Sequence, residues 1–275
     1  MSRRRGFTLV EIVIALVIML VVAGALHKLL VATQRLTLSQ SQQVSLQSNV
    51  RAGSLAVANE LRELSAVAGG APEQNDILGI APTAVTYRAM RGVGFVCRTP
   101  SASVIQINRF SGHRDPQAGR DSAYVFVAAG PATGARFWLP LAITSVSTGA
   151  ACPGNLGPGI SLTVSNSAAV ADLEVGTPVR ITEIMELRLY RSEGHSWLGA
   201  RSVSAGEAVQ PVVGPLVDGE GFGLEYLSRL GVPTADPTSI ASIRVRLRAV
   251  VEVPATGNRE EELITQVALR NALQP

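Results

Sequence analysis

The chain has 275 residues, is 47% hydrophobic and only 16% charged, and carries two cysteines and three histidines. Its formal net charge of +3 equals Arg3, Arg4 and Arg5, so the remainder is balanced and shows no basic stripe of the kind a nucleic-acid binder presents. Aromatics at 4% leave the core to Val, Ile, Leu and Ala, and 26 Gly with 15 Pro predict many turns.

Residues 1–6 read Met-Ser-Arg-Arg-Arg-Gly, and an apolar stretch runs from Phe7 to about Leu30. Within it Ile12 to Leu26 holds no polar side chain. At about 1.5 Å per residue, Phe7 to Leu26 suffices to cross a hydrocarbon core of about 30 Å. Three arginines before the span and Lys28, the single lysine, after it put the N-terminus in the cytoplasm. Glu11 is out of place in such a segment, because a carboxylate there costs about 2.5–3.5 kcal/mol at mid-membrane. Cleavage between Gly6 and Phe7 would set a new α-amino group one helical turn before Glu11. The two charges could then neutralise each other, within one chain or between staggered neighbours.

Gly6-Phe7-Thr8-Leu9-Val10-Glu11, preceded by basic residues and followed by an apolar helix, resembles the processing and methylation motif of type IV pilins and type II secretion pseudopilins. The resemblance implies that a prepilin peptidase cuts after Gly6 and N-methylates Phe7. It also implies that Glu11 sets filament register. The competing readings are a plain signal anchor and a secretory signal peptide ending at Ala23-Gly24-Ala25, with Arg3 to Arg5 as its basic region. Glu11 and the helical sequence continuing past residue 25 argue against the signal peptide.

From Leu26 to about Ala68 there is no proline and Gly53 is the only glycine. Val50, Ser54, Val57, Leu61, Leu64 and Ala68 repeat at 3,4 spacing, a heptad-like stripe, opposite a face rich in Gln, Asn, Glu and Arg. One helix from Phe7 to about residue 68 is expected, roughly 90 Å long. It should end at Gly69-Gly70-Ala71-Pro72.

Beyond residue 72, short β-type runs alternate with turn clusters. In Ile243 to Val253 the apolar side chains alternate with Arg244, Arg246, Arg248 and Glu252. Thr182 to Arg191 places Met185, Leu187 and Leu189 inward with Glu186 and Arg188 outward, and Glu193-Gly194-His195-Ser196 turns it into Trp197 to Val203. Further strands are expected at 85–89, 103–110, 123–128, 160–164, 222–227 and 262–269. The fold class is α+β: a basic leader (1–6), an N-terminal helix (7–70) and a β-rich domain (71–275). Of the helix, residues 7–30 form the membrane or filament core and 31–70 pack on the domain. The sheet is antiparallel, with one wet face and the helix on the other.

Cys97 and Cys152 can form one bridge in an oxidising compartment, with two buried thiols as the alternative. His27, His113 and His195 share no metal-ligand spacing, so no metal is expected. Gly92-Val-Gly94 and Gly219-Glu-Gly-Phe-Gly223 read as turns rather than phosphate cradles. Asp218, Glu220 and Glu225 lack the dense oxygen spacing of a calcium loop.

The run Leu216-Val-Asp-Gly219, then Phe222 to Tyr226, the strand at 243–253 and the ending Val267 to Asn271 are similar in order to PilW-like minor pilins. They are less close to J-type minor pseudopilins, and Glu11 counts against the K-type. This resemblance does not extend over the segment from about 90 to 205. The expected function is a non-enzymatic minor pilin subunit, without cofactor, that initiates or joins a filament. Its partners are other pilins or pseudopilins, the prepilin peptidase, the inner-membrane assembly platform and membrane lipid, with no nucleic acid. It would sit in the bacterial inner membrane with its β domain periplasmic, and then in the filament. The alternatives are a type II secretion pseudopilin, an adhesin on a pilin stalk and a secreted β protein; an exposed aromatic cluster would favour the adhesin.

Overall fold

The computed structural model describes residues 8–66, 75–129, 135–154, 157–165, 170, 173–253 and 257–270. Among the described residues one α-helix, α1 (Leu9–Arg62), is followed by twelve strands and a short 3-10 turn at Pro237–Ser239. The strands are β1 (Ile77–Ala81), β2 (Ala84–Ser101), β3 (Val104–Gly112), β4 (Asp121–Ala129), β5 (Ala135–Ala151) and β6 (Pro158–Val164). Then come β7 (Pro178–Ser192), β8 (His195–Ser202), β9 (Gln210–Leu216), β10 (Phe222–Leu227), β11 (Ser242–Val253) and β12 (Gly257–Ala268). The chain divides into two compact units, Met1–Ser48 with Val251–Arg259 and Asn49–Val250 with Glu260–Pro275.

In the first unit α1 exposes its apolar side chains from Leu9 to Leu30. It is the one helix among the described residues long and apolar enough to cross a membrane, by length and composition. Near its other end the Arg259 guanidinium donates to Gln43 Oε1 at 2.7 Å.

In the second unit the expected stripe is the buried one: Val50, Ser54, Val57 and Leu61 are all at most 4% exposed. Gly53 lets the helix approach β9 closely, since a Cβ there would stand 2.4 Å from Val213 Cγ2. Ser54 and Thr265 of β12 share a 2.7 Å hydroxyl hydrogen bond. The helix ends at Arg62, earlier than its sequence pattern predicts. Tertiary partners replace its last turn. Arg270 N–H donates to the Arg62 carbonyl at 2.8 Å; Ser65 N–H donates to the Asp76 carboxylate at 2.9 Å and the Ser65 carbonyl accepts from Asp76 N–H at 3.0 Å, instead of continuing the helix. The stop expected at 69–72 lies outside the described residues.

Among the described residues every pairing within β1 to β11 is antiparallel, but the sheet is not a single layer. Its order is β1-β2-β3-β6-β5-β4-β7-β8-β9-β11-β10, with β12 on β11 and an additional β2–β7 pairing. That pairing closes β2, β3, β6, β5, β4 and β7 into a six-stranded ring, a departure from the expected open sheet with one wet face. The long strands β2 and β7 serve both parts. Gly92 to Ser101 of β2 pairs with β3, and Val179 to Glu183 of β7 pairs with β4. Ala84 to Met90 and Thr182 to Arg188 pair with each other, and β7 then continues onto β8. The ring has its own aliphatic core, including Val96, Ile105, Ile107, Val125, Leu141, Ile143, Leu162, Val179 and Ile181.

Gly92-Val-Gly94, expected to be a turn, lies inside β2. Its backbone passes so close to Phe110 that a Cβ on Gly92 would meet the ring at 2.5 Å. Glycine here serves close packing, not reversal. The Glu193-Gly194 turn between β7 and β8 is found as expected, with Glu193 at φ 52° and Gly194 at φ 81°.

Candidate functional site

The helix N-terminus begins with a capping box. The Thr8 backbone N–H donates to Glu11 Oε2 at 2.9 Å, the Thr8 hydroxyl donates to the same oxygen at 3.0 Å, and Glu11 N–H donates to Thr8 Oγ1 at 3.3 Å. The signal for this was present as Thr-x-x-Glu before an apolar run. Glu11 therefore closes the orphan end of its own helix and holds its carboxylate beside the first turn. Gly6 and Phe7 lie outside the described residues.

Cys97 in β2 and Cys152, just past β5, are joined as a disulfide with Cα atoms 5.7 Å apart, and they tie together two strands of the ring. The three histidines, His27, His113 and His195, are exposed and far apart in the chain. Among the described residues no group of three or more His, Cys, Asp or Glu is placed to hold a metal. The carboxylates considered for calcium have other partners. Asp218 accepts from the Ser196 hydroxyl at 2.6 Å and lies 3.4 Å from Arg191. Glu220 pairs with Arg248 at 2.7 Å, and Glu225 pairs with Arg244. Arg244, Arg246 and Arg248, alternate residues on one face of β11, are each balanced by a carboxylate of β12 or of the segment that includes β10.

Sequence reasoning missed a charged plug at one end of the ring. Asp121 and Glu183 stand opposite each other in β4 and β7, in the inward register of Ala123, Val125, Val179 and Ile181. Both are buried. Arg114 grips Asp121 with two bonds of 2.6 and 2.8 Å. Glu183 receives Arg91 at 2.7 Å, Arg120 at 2.6 Å and Arg114 at 3.3 Å. Arg91 also reaches Glu60 of α1 at 3.2 Å, and Arg120 reaches Glu207 at 2.6 Å. One cluster thus joins helix, ring and sheet. Burial pushes the Glu183 carboxyl up, but hydrogen bonds from Ser202 and Arg91 and the charges of Arg91 and Arg120 outweigh it and hold it below the usual range.

On the outer face of the ring Tyr124 and Trp138 stack with centroids 5.7 Å apart, and Phe126 tilts against Trp138 at 5.2 Å. The Arg180 guanidinium lies 4.2 Å over the Trp138 ring, and Arg88 lies 4.8 Å over Tyr124. Trp138 and Phe126 are half-buried.

An apolar helix headed by a Thr-x-x-Glu box thus precedes a mostly antiparallel β domain. Residues 1–26 match the model of the prokaryotic N-terminal methylation motif, the type IV pilin-like prepilin signal. Such a motif implies processing by a prepilin peptidase and assembly with other pilins in general. No curated protein and no solved structure matches the chain.

Proposed function

We propose that this chain is a structural, non-enzymatic minor subunit of a type IV pilus, which joins or initiates a filament after cleavage between Gly6 and Phe7. The observation that carries the reading is the methylation motif over residues 1–26, running into a helix whose apolar side chains are exposed from Leu9 to Leu30. Such a surface is stable only in lipid or against other apolar helices. Before assembly the helix is held in the inner membrane, with the β domain on the periplasmic side; afterwards its partners are neighbouring pilin helices. Glu11 meets the methylated Phe7 amine of a neighbour and sets axial register. The ring between β2 and β7 adds a module to the helix-and-sheet frame, which suits a specialised subunit rather than the repeating one. Minor pseudopilins of type II secretion carry the same kind of N-terminus and are the alternative machine.

Intact mass and N-terminal peptide analysis of the protein from its native membrane tests this. A chain starting at methylated Phe7 is expected. A start after Ala25 overturns the filament reading in favour of a secreted β protein.

A further inference from the structure

A cleft of about 280 Å³ opens where the end of α1, β2, β4 and β7 meet. Its charged lining is Glu60, Glu63, Asp76, Arg88, Arg180 and Arg270. These charges are not equally available. Asp76 and Arg88 are buried and lie 3.8 Å apart. Glu60 is engaged by Arg91 at 3.2 Å and by the Tyr87 hydroxyl at 3.3 Å. Arg180 and Arg270 form no ion pair within 4 Å among the described residues, although ten other arginines do. Glu63 is exposed and likewise forms no ion pair among them. The lining as a whole is charge-balanced, three carboxylates with three arginines, and Arg180 and Arg270 are the two of these arginines without an ion pair within 4 Å among the described residues.

Arg180 is also preorganised. Its guanidinium lies on the Trp138 ring, which stacks on Tyr124, and Tyr124 forms part of the cleft wall. A cation held flat on an aromatic face keeps its in-plane N–H groups free to donate, and its side chain has less freedom to lose on binding. A planar acceptor of single charge suits this arrangement, because a guanidinium fork binds a carboxylate through two parallel bonds. A doubly charged phosphate would bring a second negative charge to a lining that is already balanced and holds Glu63.

We propose that this cleft binds a carboxylate group, held by Arg180 and Arg270 beside the Tyr124–Trp138 stack. The carboxylate belongs either to a small free acid or to an acidic side chain of a protein segment. This inference concerns the second compact unit alone and stands whether or not the filament reading does.

The test uses the full-length chain in detergent micelles with Trp197→Phe, which leaves Trp138 as the only indole. Trp138 emission is titrated with N-acetylglutamate amide, with a capped pentapeptide carrying one central glutamate between alanines, with its glutamine counterpart and with inorganic phosphate. Saturable change is expected with the two carboxylates and not with the glutamine peptide. Arg180→Gln should weaken binding by about tenfold or more, the worth of one charge-assisted bond. Glu63→Gln should tighten it, a sign that a loss of folding cannot imitate. Tighter binding of the peptide than of the single residue assigns the carboxylate to a protein segment, and equal binding assigns it to a free acid. Phosphate binding more tightly than either, or titrations unchanged by both substitutions, would overturn the proposal.

Discussion

Asp76 and Glu183 are both buried carboxyls, and their surroundings drive them in opposite directions. Burial pushes Asp76 up to about 6 from 3.8, against the Ser65 backbone hydrogen bond and the charges of Arg88 and Arg180. A raised folded value means that its contribution to stability is complete below about pH 4 and is lost as pH rises through 6. The shift corresponds to about 3 kcal/mol. Asp76→Asn keeps an oxygen to accept from Ser65 N–H but cannot ionise, so it should flatten the denaturant midpoint between pH 4 and 7.5. A wild-type midpoint that does not fall over that interval relative to the variant would count against the assignment. Glu183 behaves the other way, because its folded value is depressed. Its contribution is present above the ordinary carboxylate range and is lost only as pH falls through the lower folded value. Glu183→Gln leaves Arg91, Arg114 and Arg120 short of a counter-charge and should cost about 3 kcal/mol at neutral pH, measured by urea unfolding. None of this was legible in the sequence. Glu183 sits among alternating residues of β7, and its partners come from positions 91, 114 and 120, which only the fold gathers.

At the scale of elements, legibility followed periodicity. The stripe Val50, Ser54, Val57 and Leu61 and the alternation of β11 were both readable, because each repeats over several turns or pleats against one buried surface. β5 was missed, since Thr144, Ser145, Ser147 and Thr148 dilute its apolar residues, and β9 was hidden by Pro211 and Pro215. β2 was read over only 85–89, because Gly92 and Gly94 looked like punctuation. Closure of the ring depends on pairs such as Gly92 with Ile181, too far apart in the chain for any local pattern to report. Gly53 gives the packing of α1 on β9 a direct test. Gly53→Val would force its Cβ against Val213 and should destabilise the β domain by roughly 1–3 kcal/mol. Gly24→Val, where nothing stands within 4 Å, should leave that unfolding transition unchanged. The disulfide closes a loop of 55 residues, so replacing Cys97 and Cys152 by serine should cost about 4 kcal/mol by loop entropy.

For the whole molecule, the exposed apolar helix and the prepilin-type signal bear on assembly, while the ring and its cleft lie wholly within the second compact unit. A substitution at Glu11 can act through two physical routes. One is the cap, because Glu11 accepts two hydrogen bonds from Thr8 and closes the helix end. The other is the charge, which in a filament would answer a neighbour's N-terminal amine. Valine removes both; glutamine removes only the charge, since an amide oxygen still completes a capping box. If charge sets the register, Glu11→Gln and Glu11→Val should insert in the membrane, be cleaved after Gly6 and fail alike to enter filaments, as judged by immunoblots of sheared filament fractions. If Glu11→Gln assembles normally while Glu11→Val does not, helix capping is what assembly requires and the ion pair between neighbours has to be abandoned. Gly6→Leu separates both routes from processing, because it should trap the uncleaved precursor in the membrane with the cap intact.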